Sequence, residues 1–167
     1  MQDFIVIDIE TSGVIPGKHQ ILSIGAICSK TGERFYEECR IYKWNKIEQS
    51  ALKVNGFTEL ECRDETKPTP KQIYNKFKKW CLGRSNILAG HNIGSFDVQF
   101  LKMMEKGEWM FKYHYIDLHS MAFCRFGESL SHKNIAIKLG LDPEPTPHNA
   151  LGGAISEYNC IIKLLSL

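Results

Sequence analysis

Residues 4–13 read FIVIDIETSG. Phe4, Ile5, Val6 and Ile7 form a short apolar run of β-branched and aromatic residues, the composition of a buried strand. Two acids end it. Asp8 and Glu10 stand two residues apart, and side chains at i and i+2 of a strand point to the same face. Two like charges at that spacing, flanked by Ile7 and Ile9, repel unless a cation sits between them. The pair therefore offers hard oxygen ligands to a divalent metal. D-x-E alone fits an exposed strand end equally well, so the remainder of the chain has to decide.

Outward from this strand, residues 14–18 carry Gly and Pro punctuation and read as loop. Residues 20–29 read as a second strand, Thr31 and Gly32 as a turn, and residues 33–42 as a third strand, so the start of the chain predicts an antiparallel meander. A short helix over 47–54 stops at Asn55 and Gly56. A clearer helix follows, with Thr69 as cap, Pro70 in its first turn, Gln72 completing a capping box, and Ile73, Phe77, Trp80 and Cys81 as its apolar face. Residues 86–91 predict a buried strand leading into a helix over 95–106. Residues 113–117 predict another strand, leading into a helix over 118–126. Ser131 caps a helix that stops at Gly140. Thr146 and Pro147 open the last helix, with Leu151, Ile155, Tyr158, Ile162 and Leu165 as its buried stripe. Strands first, then alternating helices and strands, predict an α/β fold: a mixed five-stranded sheet flanked by helices.

Composition sets the class. The chain has 167 residues, 43% hydrophobic and 24% charged, ordinary values for one domain over 1–167 with its own core. A net charge of +2 does not announce a nucleic-acid binder, so such a surface has to be local. Lysines 71, 76, 78 and 79 form one basic run, readable as a solvated helix face. Lys102, Lys106, Lys133 and Lys138 are scattered candidates for phosphate contacts. Six cysteines include no C-x-x-C pair, which argues for reduced thiols in a cytoplasmic protein rather than a zinc site or disulfide framework. No apolar run approaches the roughly 20 residues that span a bilayer.

Two further residues join the acids. Asp97, in HNIGSFD (91–97), begins a helix just after a buried strand, and ligands of open α/β sheets gather beyond the strands' carboxyl ends. His148 precedes the last helix. Beside metal-held carboxylates it suits a general base near neutral pH.

Together these segments resemble the DEDD exonucleases, in the histidine-containing DEDDh branch typified by the proofreading subunit of bacterial DNA polymerase III. The family's D-x-E-T motif stands here as DIETSG (8–13), and its N-x-x-x-F-D or H-N-x-x-F-D motif as HNIGSFD, with the spacing from His91 to Asp97 one residue longer than in the proofreading subunit, a variant that occurs among relatives. ALKVNGFT (51–58) matches a stretch that usually reads A-x-x-V-H/N-G-I/F-T, and YIDLHSMA (115–122) matches a later strand-to-helix step. The resemblance covers nearly the whole chain. It implies a ribonuclease H-like fold and hydrolytic removal of nucleotides from a 3′ end of DNA or RNA, assisted by two Mg²⁺ or Mn²⁺ ions. It makes Asp8, Glu10 and Asp97 metal ligands and His148 the base that takes a proton from water. The backbone of Thr11, Ser12 and Gly13 approaches the terminal nucleotide, Asn55 and Phe57 line its sugar and base pocket, and Asn92 and Phe96 lie beside the strand. A polymerase or other protein is a possible partner.

One motif departs. The family's H-x-A-x-x-D-A appears as HNALGGA (148–154), with Gly153 where a fourth metal-binding Asp belongs. Two consecutive glycines are also costly in a helix, about 1 kcal/mol each relative to Ala. A lost carboxylate predicts impaired catalysis. Three accounts are open: a substitution in an otherwise active enzyme; a relative that binds 3′ ends without cutting, or an accessory domain of a polymerase or CRISPR-type complex; and replacement of the lost acid by Glu157, one turn further along the helix.

Overall fold

The computed structural model describes residues 2–167. Its sheet is built on strands β1 (Ile5–Thr11), β2 (Ile21–Cys28) and β3 (Arg34–Glu38), followed after three helices by β4 (Leu88–Gly90) and later by β5 (Ile116–Asp117). The spatial order is β3-β2-β1-β4-β5. β1 pairs with β2, and β2 with β3, in antiparallel register, while β4 and β5 run parallel to β1. The sheet is thus five-stranded and mixed, as its sequence pattern predicts. β2 is buried along its whole length, the condition of a strand covered on both faces.

Helices α1 (Gln49–Asn55), α2 (Glu59–Arg63) and α3 (Pro70–Cys81) lie between β3 and β4; α4 (Asp97–Met104) lies between β4 and β5; α5 (Leu118–Phe126), α6 (His132–Lys138) and α7 (Ala150–Leu165) follow. Alternation along β1 divides the core. Ile5, Ile7 and Ile9 pack with residues of α3 and α4, including Ile73, Phe77, Val98 and Leu101. Val6 faces the other way, toward residues of α5, α6 and α7 such as Leu118, Ile135 and Cys160. Asp8 and Glu10 share the parity of Val6 and therefore project on the α7 side.

α3 carries the capping box expected of Thr69 and Gln72. α2, a second capping-box helix opened by Thr58 and Glu61, is absent from the sequence expectation because five residues are too few for periodicity to register. β5 is two residues rather than five, and α4 begins at Asp97 rather than Ser95.

The largest correction concerns α7. It starts at Ala150, not at Thr146 and Pro147, because Asn149 caps it by accepting from the N–H groups of Leu151 and Gly152. Pro143, Pro145 and Pro147 keep the preceding segment out of helix, since a residue before proline is pushed out of the helical region. Its buried face is Ala150, Gly153, Ala154, Glu157, Cys160 and Ile161. The expected stripe lies on its flanks, with Ile162 and Leu165 exposed. Backbone proximity explains the difference. A Cβ at Gly25 of β2 would stand 2.1 Å from the Ala150 carbonyl carbon, so α7 rests on the sheet through small residues rather than large ones.

Candidate active site

A cleft opens beyond the carboxyl ends of β1 and β4, and five carboxylates line it: Asp8, Glu10, Asp97, Glu144 and Glu157. β1 supplies the first two. Asp97 begins α4, where its Oδ1 accepts from the backbone N–H of Ile9 at 3.2 Å, tying the helix start to the strand between the two β1 acids. His148 stands at the rim on the segment before α7. Its backbone N–H donates to the carbonyl of Val54 at 3.0 Å, so the C-terminal end of α1 fixes its height. The four residues that sequence reasoning grouped, Asp8, Glu10, Asp97 and His148, thus all line one cleft.

The electrostatics are one-sided. No lysine or arginine lines the cleft among the described residues. Burial pushes the Asp8 carboxyl well above the usual range, with Glu157 the largest like-charge contributor, ahead of Asp97, Glu10 and Glu144. Burial, then Glu144, pushes Glu10 up to about 8, against the pull of the Asn55 amide. Asp97 rises to about 7 through burial, held back by its backbone hydrogen bonds, including the one from Ile9. Glu157 is raised by burial and by Asp97, and its Oε2 is buried with no hydrogen-bond partner. Buried carboxylates gathered without a protein cation, one oxygen orphaned, fit a hard divalent ion.

Two site features escaped the sequence reading. Glu144 approaches His148, Oε2 to Nδ1 at 3.5 Å, while its Oε1 accepts from the Asn149 N–H at 3.1 Å. One donor atom each from Glu10, Glu144 and His148 lie within 4.8 Å of one another. The four-residue spacing from Glu144 to His148 was the available signal, hidden in a proline-rich segment. His91 and His132 also line the cleft, their rings 6.1 Å apart. Burial lowers both, His132 to about 4.

The expected substrate contacts divide. Ser12 is fully buried; its hydroxyl donates to the Lys46 carbonyl and accepts from Gln20 N–H, its own N–H donates to the Gln20 carbonyl and its carbonyl accepts from Glu48 N–H, so both its side chain and its backbone are engaged within the protein. The Thr11 hydroxyl is spent on the Gly13 carbonyl. Gly13 is needed by its neighbour, because a Cβ there would meet the His19 ring at 2.6 Å. Asn55 holds the loop from inside, donating to the Thr11 carbonyl and accepting from Phe57 N–H. Asn55 and Phe57 line a second depression, which shares His148 with the acid cleft. Asn92, exposed and in a left-handed conformation (φ 55), and Phe96, its ring tilted against that of Phe100 with centroids 5.2 Å apart, line the acid cleft itself. Of the basic run, Lys76 and Lys78 are paired with Glu37 and Glu105, and Lys71 donates to the Met104 carbonyl.

The sheet order, with an acid-lined cleft at the carboxyl edge of the sheet, is that of a ribonuclease H-like α/β fold. The RNase_T exonuclease family model matches residues 5–154, and the chain belongs to that family. Its fold superimposes on Escherichia coli exonuclease I in complex with a dA16 oligonucleotide at a TM-score of 0.80, with 17% identity over 99% of this chain and 41% of that one. It superimposes on the nuclease domain of 3′hExo, a DEDDh family member bound to rAMP, at 0.76, with 14% identity over 98% and 92% of the two chains. A zinc-ion-bound form of the exonuclease I–single-stranded DNA complex gives 0.79 and 17%. The chain spans about two fifths of the length of exonuclease I. No curated protein matches it. No described helix is long and apolar enough to cross a membrane.

Proposed function

We propose that this chain is a metal-dependent 3′–5′ exonuclease that hydrolyses terminal nucleotides from DNA or RNA with two Mg²⁺ or Mn²⁺ ions. The observation that carries this reading is the convergence of Asp8, Glu10 and Asp97 in one cationless cleft with His148 at its rim. Asp8, Glu10 and Asp97 would hold the ions. When bound, they supply Lewis-acid activation of water and neutralise charge on the attacked phosphate and the leaving oxygen. His148 accepts the proton of the attacking water. Glu144, beside Nδ1, holds the imidazole in place and offsets the positive charge that the ring gains. Phe96 and the Asn55–Phe57 depression offer aromatic and polar surfaces to a terminal nucleotide, and stacking on an aromatic tolerates any base. A reducing cytoplasmic setting is part of the reading, in keeping with six free cysteines, five of them buried.

Gly153 leaves the first turns of α7 without an acid. Impaired turnover follows unless another carboxylate takes that place. The test is a 5′-labelled single strand, as DNA and as RNA, incubated with Mg²⁺ or Mn²⁺. A ladder shortening from the 3′ end and abolished by chelator is the expected result. Full-length strands under all conditions, with tight binding retained, would establish a 3′-end binding module instead.

A further inference from the structure

We propose that Glu157 is the fourth metal-ligating carboxylate of this site, relocated one helical turn beyond the glycine that vacates the usual position. The assignment rests on the metal-dependent reading above and adds a ligand to it.

Three observations carry it. Gly153 leaves no space for a side chain: a Cβ there would stand 2.0 Å from Asp8 Oδ2 and 2.8 Å from its Cγ. With Asp8 placed as it is, an acid at 153 would require the Asp8 carboxylate to move aside. Glu157 comes next on the same buried face, four residues and one turn along. Its carboxylate points into the cleft that Asp8, Glu10 and Asp97 line. It is 5% exposed, and Oε2 has no hydrogen-bond partner. The opposite wall is cut back to receive it, since a Cβ at Gly90, the last residue of β4, would stand 3.2 Å from Oε2 and 2.8 Å from the Ile7 carbonyl. A glycine where the acid is missing, an acid one turn on, and a glycine facing that acid form one arrangement. As a core residue Glu157 is unfavourable, because a buried carboxylate oxygen without a partner is costly. As a ligand it is satisfied.

The experiment uses the full chain freed of metal. Mn²⁺ is titrated by calorimetry, and the melting temperature is read with and without Mn²⁺, for wild type, Glu157→Gln and Asp8→Asn. Losing a ligand-supporting group typically costs about 10–100-fold in metal affinity or activity, so Glu157→Gln should weaken at least one Mn²⁺ by 10-fold or more. It should melt higher than wild type without metal, because a buried carboxyl that must either stay protonated or lie unpaired is gone, and gain less from Mn²⁺. Its initial nuclease rate should fall in step with the affinity. Wild-type Mn²⁺ affinity and melting gain in Glu157→Gln, with Asp8→Asn impaired, would overturn the assignment and leave the site reading intact. Absence of Mn²⁺ binding by wild type itself would overturn both. If Glu157→Gln does not fold, as judged by circular dichroism, Glu157→Asp replaces it. Drawing the carboxylate back by one methylene should weaken Mn²⁺ severalfold, and unchanged affinity there counts against the proposal.

Discussion

In the proposed mechanism His148 is the base; a base at the rim of a cleft works only if its ring is held, and the holder proposed for it is Glu144. Its carboxylate lies 3.5 Å from His148 Nδ1 and is itself fixed by the Asn149 N–H. Glu144→Gln keeps the shape and the hydrogen bond but removes the charge that offsets a protonated imidazole. It should lower turnover about 10-fold or more, the usual effect of losing an orienting carboxylate, while oligonucleotide affinity measured in chelator stays unchanged. Turnover within twofold of wild type would count against this role. At this scale the sequence revealed the site unevenly. Asp8, Glu10, Asp97 and His148 sit in local motifs, each recognisable from its immediate neighbours. Glu144 does not, because its meaning comes from how a proline-rich segment folds back over β1. Ser12 shows the converse: it lies inside a motif, yet its hydroxyl is spent on Lys46 and Gln20.

Among the elements, α7 is where reading and structure differ most. Large apolar residues at helical spacing suggested a stripe through Leu151, Ile155 and Ile162, but the helix buries Ala150, Gly153, Ala154 and Glu157. Hydrophobic periodicity assumes that the buried face is the most apolar one. That fails where two backbones approach as closely as Ala150 and Gly25, because only small residues fit the contact. α3, capped by Thr69 and packed through Ile73, Phe77 and Cys81, obeys the ordinary rule and was legible apart from Tyr74, which it also buries, and Trp80, which is only partly buried. The same contact fixes what a methyl group does at 153. Gly153→Ala gains about 1 kcal/mol of helix propensity, but its Cβ would meet Asp8 Oδ2 at 2.0 Å, and overpacking of this kind costs about 1–3 kcal/mol. The expected outcome is a lower denaturation midpoint for the metal-free variant than for wild type. A higher midpoint would mean that α7 sits further from β1 than described.

Across the whole molecule, the five strands and their mixed directions followed from the order of elements, since two connections without a helix favour antiparallel neighbours and helical crossovers favour parallel ones. The charge balance inside the fold did not, because a net charge of +2 conceals a cleft that, among the described residues, holds five acids and no lysine or arginine. That imbalance gives stability a pH dependence. Glu10 and Asp97, raised to about 8 and about 7, keep protons in the folded state that the unfolded chain releases near the ordinary carboxylate range. Their contribution is present at low pH and is lost as pH rises through the folded values. His132, lowered to about 4 from an ordinary 6.5, acts oppositely, adding stability between those two values. Above about pH 6.5 only the acids remain, so the metal-free protein should melt progressively lower up to about pH 8, and Mg²⁺ or Mn²⁺ should flatten the decline. A metal-free melting temperature that rises over this interval would contradict the picture. The most direct test of the central claim, that these acids hold catalytic metal, is the rate of nucleotide release from the 3′ end of a 5′-labelled single strand with Mn²⁺, compared between wild type and Asp8→Asn. The account predicts a ladder in the wild type and a rate at least about 100-fold lower in the variant. Equal rates in the two proteins would contradict it.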